Sequence, residues 1–277
     1  MGDPETGLER IAAAFADTGK RAALMPYMMG GFPTLDQSLL IAHACAEAGA
    51  DVIELGVPYS DPLADGPVIH AAGTRALAGG ANLAGVLEVA RAISPRVPVV
   101  LMCYANMVFA PGAGAFAERL QRAGVSGLIV PDLPLGEGEE MLRACDSHGL
   151  ALVPLVAPTT PPERMAAIGR SARGFLYTVS VVGTTGERDS QEGRFAEIVA
   201  RAKATTDVPV ALGFGIGTAE QARQAADAGA DGVIVGTRLV RAAAEQLEAD
   251  GREVPGGDPA GAVGAVLGEL AAGLALR

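Results

Sequence analysis

The chain has 277 residues, near the upper limit for one hydrophobic core, so a single large domain spanning 1–277 is the first expectation. A formal charge of −11 offers no positive field to a nucleic-acid backbone or an anionic membrane, and no stretch reaches the ~18 uninterrupted apolar residues of a membrane span. A small anionic substrate is not excluded, because a nest of backbone N–H groups holds a phosphate against an unfavourable net charge. In chain order, residues 4–19 predict a short helix with Leu8, Ile11, Ala12 and Phe15 on one side. Apolar runs rich in Val, Ile and Leu then alternate with longer Ala-rich segments of helical spacing. The runs are Leu24 to Met29, Val52 to Leu55, Val97 to Met102, Gly127 to Val130, Ala151 to Val156, Phe175 to Ser180, Val210 to Leu212 and Gly232 to Val235. None alternates polar with apolar, as expected of parallel strands buried on both faces.

Eight such units predict an α/β fold, a (β/α)8 TIM barrel with its core over about residues 20–248. The joints Ala46 to Asp51, Arg122 to Val125 and Ala226 to Asp231, with His148-Gly149, repeat one grammar: a glycine stops a helix and the chain turns straight into a strand. These glycines read as architecture. The extra N-terminal helix is placed to close the bottom of the barrel. Residues 249–277 form a linker and an accessory C-terminal helix, started by Asp258 and Pro259, with Val263, Val266, Leu267, Leu270 and Leu274 on one face. A doubly wound open sheet competes, but Gly30-Gly31-Phe32-Pro33 stands where its GxGxxG would follow the first strand. Cys45, Cys103 and Cys145 form no CxxC pair, and the N-terminus lacks the features of a secretory signal. A cytoplasmic, reducing compartment is therefore expected.

In such barrels the chemistry sits at the C-terminal ends of strands. The second run carries Glu54 inside an apolar strand, where a charge needs either a partner or a task. The loop after it, Gly56 to Pro67, holds three prolines with Asp61 and Asp65; Asp61 reads equally well as a turn former. After the sixth run, Ser180 to Asp189 reads as a lid. Gly213-Phe214-Gly215-Ile216-Gly217 follows the seventh run and Gly236-Thr237-Arg238 opens a helix after the eighth, the places where barrels grip phosphate on backbone N–H groups. Arg238 is a nearby cation whose contact with the phosphate stays open.

The run Glu54 to Pro67 (ELGVPYSDPLADGP) resembles the signature of tryptophan synthase alpha chains, with Tyr59 in place of the commoner Phe. The likeness continues through Met25-Pro26-Tyr27, Leu101 to Asn106, Pro131 to Pro134, the lid and the two glycine-rich turns; the tail does not share it. The resemblance implies a lyase of tryptophan biosynthesis that cleaves indole-3-glycerol phosphate into indole and glyceraldehyde 3-phosphate. It implies Glu54 as general acid and base, Asp65 as the carboxylate that meets the indole N–H, and Tyr177 as a supporting phenol. Substrate and phosphate contacts are implied for Tyr27, Tyr104, Thr185, Gly186, Gly213, Phe214, Gly215, Gly236 and Thr237, with Thr185 bonding Asp65 on closure. His70 stands where Gln is common. No cofactor or metal is implied in this chain; pyridoxal phosphate is expected in a β-chain partner within an α2β2 heterotetramer. The alternatives are a free-standing, indole-releasing lyase, a catalytically idle allosteric partner, and a different phosphosugar barrel.

Overall fold

The computed structural model describes residues 5–179, 188–213, 215–248 and 254–276, with backbone only for residues 188–192. The strands are β1 (Ala23–Met29), β2 (Ile53–Gly56), β3 (Val99–Met102), β4 (Gly127–Ile129), β5 (Ala151–Leu152), β6 (Leu155–Val156), β7 (Leu176–Val179), β8 (Val210–Gly213) and β9 (Gly232–Val235). The helices are α1 (Gly7–Ala16), α2 (Leu35–Glu47), α3 (Pro67–Ala78), α4 (Leu83–Ile93), α5 (Ala105–Phe109), α6 (Ala113–Arg122), α7 (Glu139–Ser147), α8 (Pro162–Ser171), α9 (Arg188–Lys203), α10 (Ala219–Asp227), α11 (Thr237–Ala244) and α12 (Pro259–Gly273).

All strand pairs are parallel, in the order β5-β4-β3-β2-β1-β9-β8-β7-β6. β5 and β6 are the two halves of the fifth expected run, parted at Val153-Pro154, because proline has no N–H to give the ladder. The Val153 N–H still donates to Leu128 O on the β4 side (2.9 Å), while Pro154 O accepts from the Tyr177 N–H on the β7 side (3.0 Å). The sheet thus closes through this segment into the expected TIM barrel.

Two apolar layers result. Ile11, Met25, Val52, Val100, Phe175 and Ile234 belong to the cluster filling the barrel, and the larger cluster lies between the strands and the helices. α1 plugs the lower end. Thr6 and Glu9 cap it reciprocally, Ile11 is fully buried, and the Phe15 ring lies 5.7 Å from that of Phe175. Ala12, expected on the same face, is exposed instead; Ala14 takes the inward place. Arg10 donates to the Ser94 and Gly124 carbonyls and ties the plug to the joints below β3 and β4.

At the joints before β2 and β9, Gly49 (φ 93°) and Gly229 (φ 91°) take the left-handed conformation that the tight helix-to-strand turn requires. The aspartate two residues on then pins the neighbouring strand. Asp51 accepts the Leu24 N–H (2.6 Å) and pairs with Lys20 (2.9 Å); Asp231 accepts the Val210 N–H (2.8 Å) and pairs with Lys203 (2.7 Å). α12 starts at Asp258, which accepts the Gly261 N–H (2.9 Å), and buries Val263, Val266, Leu267 and Leu270, followed by Leu274, against α2, α10 and α11. Leu274 O then accepts the Arg21 N–H (2.8 Å) at the entry to β1. No single helix among the described residues is long and apolar enough to cross a membrane.

Candidate active site

β2 is buried over its whole length, and the register sets Glu54 between Tyr27 of β1 and Val100 of β3. Glu54 is 1% exposed, and among the described residues neither carboxyl oxygen has a hydrogen-bond or salt-bridge partner. The ordinary reason for a buried charge is missing there. An unpaired carboxylate in a low-dielectric site costs several kcal/mol, and the group responds by keeping its proton. Burial pushes Glu54 up to about 8, and the Asp65 carboxylate adds to the shift.

Glu54 opens onto a cavity of about 860 Å³ at the C-terminal ends of the strands. Tyr27, Asp65 and Tyr177 share its wall with Glu54, while Gly215, Gly217, Gly236, Thr237, Arg238 and Arg241 line it from the β8 and β9 side. Asp65 is half-buried in the β2–α3 loop. Burial raises its pKa, and a hydrogen bond from Tyr104 and the charge of His70 pull the other way. Asp61 is exposed and takes the Ser60 hydroxyl proton, which fits its turn-forming reading. Glu54 and Asp65 therefore differ by environment: one dry and unpartnered, the other held by polar neighbours. Two interacting carboxyls so placed divide their tasks, the first keeping a proton while the second is ionised.

Burial, above all, raises both Tyr177 and Tyr27 well beyond the usual phenol range, with Glu54 contributing to each. The two hydroxyls stay protonated and can donate a hydrogen bond. Room for them comes from glycines: a Cβ on Gly56 would stand 2.2 Å from the Tyr27 hydroxyl, and one on Gly213 would stand 2.5 Å from that of Tyr177. Nothing in the sequence pattern marks Gly56 for this task; the only signal is that a glycine ends a strand otherwise built of large apolar groups.

Gly215 takes φ 78°, and the first N–H groups of α11 have no acceptor within their own helix. The Gly217 N–H is already given to Gln221 Oε1 (2.9 Å). The Arg238 and Arg241 guanidinium groups line the cavity without a hydrogen bond or ion pair to any described residue. Of the expected site residues, Tyr27, Glu54, Asp65, Tyr177, Gly215, Gly236 and Thr237 converge on one cavity. Gly213 and Tyr104 do not line it; the first makes room for Tyr177 and the second stands behind the β2–α3 loop. Thr185, Gly186 and Phe214 lie outside the described residues, as does the expected lid. Among the described residues no group of three or more His, Cys, Asp or Glu side chains could hold a metal ion.

A closed parallel barrel with an unpartnered carboxyl and a second carboxylate in one cavity defines a (β/α)8 enzyme of acid–base chemistry. The family model described as tryptophan synthase alpha chain matches residues 14–255. Relatives of that name include one from Prochlorococcus marinus, 50% identical over 80% of this chain and 81% of its own, and one from Methanosarcina mazei, 47% identical over 84% and 85%. Among solved structures, tryptophan synthase from M. tuberculosis superposes with a TM-score of 0.85 at 39% identity, covering 97% of this chain and 99% of that one. The tryptophan synthase α2β2 complex of Pyrococcus furiosus gives 0.82 at 33% identity, over 91% and 98%. The chain belongs to the tryptophan synthase alpha chain family.

Proposed function

We propose that the reaction of its family, cleavage of indole-3-glycerol phosphate to indole and glyceraldehyde 3-phosphate, is carried here by Glu54 and Asp65. The observation behind this reading is the unpartnered, protonated carboxyl of Glu54 in the same cavity as Asp65. Indole is a poor carbanion leaving group until C3 carries a proton. Protonated Glu54 delivers that proton, and the positive charge that appears on N1 is stabilised by the Asp65 carboxylate in a site where screening is weak. The Glu54 carboxylate then takes the proton from the hydroxyl on the carbon bonded to C3. The C3–carbon bond breaks, its electron pair returns to the ring and neutralises N1, and the hydroxyl carbon leaves as the aldehyde. Glu54 ends as it began, and the C3-protonated ring itself takes up the electron pair of the broken bond.

The glycine-rich turns after β8 and β9, with Gly215, Gly236 and Thr237, are the proposed phosphate grip. Tyr177, on the same cavity wall as Glu54, is the proposed supporting phenol. The proposed partner is a β chain carrying pyridoxal phosphate. Three large apolar side chains left exposed, Leu63, Phe109 and Leu135, follow β2, β3 and β4 on the cavity side of the barrel, and favour a partner seated there.

Purified chain incubated with indole-3-glycerol phosphate, with and without a β chain, should release indole. Glu54→Gln should lower kcat by about 10²–10⁴-fold, the range of a positioned proton transfer, with affinity for glycerol 3-phosphate little changed. Near-normal turnover by the variant would remove Glu54 from its role.

A further inference from the structure

Asp65 sits in a loop, and loops do not hold a carboxylate in place by themselves. Three prolines, at 58, 62 and 67, remove backbone donors from this segment, and its tip residue Leu63 is 89% exposed. Among the described residues, the Ala64 N–H gives the only bond that a backbone donor of residues 59–66 makes to another part of the protein. Its acceptor is the Tyr104 hydroxyl, at 3.1 Å.

Tyr104 is itself well fixed. It is 4% exposed and caps α5, whose first N–H, that of Ala105, donates to Asp132 Oδ1 (2.9 Å). Its ring stacks on Tyr59 with centroids 4.9 Å apart and planes 30° from parallel. The bond from the Ala64 N–H fixes the residue next to Asp65, and Tyr104 also pulls the Asp65 pKa down against the effect of burial. Burial pushes the phenol up to about 12, so it keeps its proton throughout the working range.

We propose that Tyr104 is the positioning residue of the site: its hydroxyl locks the backbone of the mouth loop at Ala64 and thereby holds the adjoining Asp65 in place, on a ring clamped by Tyr59. Tyr104 does not line the cavity, so it works through Asp65 and not on the substrate. The inference rests on the reading of Asp65 as the carboxylate that stabilises the charged indole. The other titratable groups facing Asp65 are His70 from α3, Glu54 from β2 and Tyr27 from β1, and these remain in place when the Tyr104 hydroxyl is removed.

The test is a set of pH-rate profiles for indole release by wild type, Tyr104→Phe, Tyr59→Phe, Asp65→Asn and the Tyr104→Phe/Asp65→Asn double variant. Tyr104→Phe keeps the ring and its stack and loses only the hydroxyl. The expected result is a kcat lower by about 10- to 100-fold, the scale of a slightly misplaced catalytic group. KM should stay within about threefold, because the interaction acts in the transition state. The acidic limb should move to higher pH, and the double variant should be no slower than Asp65→Asn alone. Tyr59→Phe, which preserves the stack, should stay near wild type. A kcat within twofold of wild type, an unmoved acidic limb, a rise in KM alone, or full additivity with Asp65→Asn would each overturn the proposal. Near-normal activity of Asp65→Asn would instead remove the reading of Asp65 on which the proposal stands.

Discussion

Glu54 sets function against stability within one side chain. A glutamate in an unfolded chain titrates near about 4.3, whereas the folded protein holds Glu54 near 8. Between those values the unfolded chain has released its proton and the folded one has not. The stability carried by the neutral carboxyl is therefore full below about pH 4.3 and is lost as pH rises through 8. At about 1.4 kcal/mol per pKa unit the loss amounts to several kcal/mol. Glu54→Gln should therefore melt at a higher temperature than wild type at pH 8 to 9, and the advantage should shrink towards pH 4 to 5; equal shifts at both ends would contradict a protonated Glu54. Activity should follow the same group, with kcat/KM falling above about pH 8 as the free enzyme loses its acid. Asp65→Asn removes the neighbouring negative charge and should move the Glu54 titration down, which carbon-13 NMR of the carboxyl would register. Glu54 was legible in the sequence because a charge interrupts a run of apolar residues. Gly56 was not, because its reason is a ring contributed by another strand, and Gly213, expected among the substrate and phosphate contacts, leaves the room that the Tyr177 hydroxyl fills.

The elements were legible wherever one face decides their sequence. All eight runs became strands, since parallel strands buried on both sides must be apolar throughout. The fifth is the informative one: Pro154 breaks its ladder into β5, paired with β4, and β6, paired with β7, a division that periodicity cannot register. The repeated helix-to-strand joints were read as architecture from their glycines, but the aspartates beside them carry the bonds. Asp51 is the stronger case, since its side chain is 11% exposed and that of Lys20 16%, and it accepts a backbone N–H of β1 as well. Asp51→Ala should cost about 1.5–3 kcal/mol in urea denaturation, the worth of hydrogen bonds to a charged group, with the denaturant slope unchanged. Asp51→Asn, which can still accept from Leu24, should recover part of that. Asp231→Ala should cost less, because its pair with Lys203 lies nearer the solvent, at 42% and 37% exposure, where screening weakens it. A loss at Asp231 as large as at Asp51 would mean that the backbone bond common to both, and not the lysine, carries the effect.

Across the whole molecule, a charge of −11 opposes the approach of a phosphorylated substrate, yet the cavity presents Arg238 and Arg241 with no described partner to neutralise them. Which field wins depends on distance. The excess carboxylates are spread over a surface of 12265 Å², whereas the two guanidinium groups line the cavity itself. At an ionic strength of 0.1 M the Debye length is about 10 Å, so an incoming anion at the mouth feels the nearby pair and little of the distant excess. Raising the salt then screens an attraction, and kcat/KM for indole-3-glycerol phosphate should fall. With Arg238→Gln and Arg241→Gln together, only the general repulsion is left to screen, and kcat/KM should rise over the same range of salt. The slope should change sign while kcat at saturating substrate stays close to wild type, because neither arginine belongs to the proton-transfer pair. A double variant whose slope stays negative would assign the attraction to the backbone grip of the turns after β8 and β9 and leave the two arginines without a part in substrate capture.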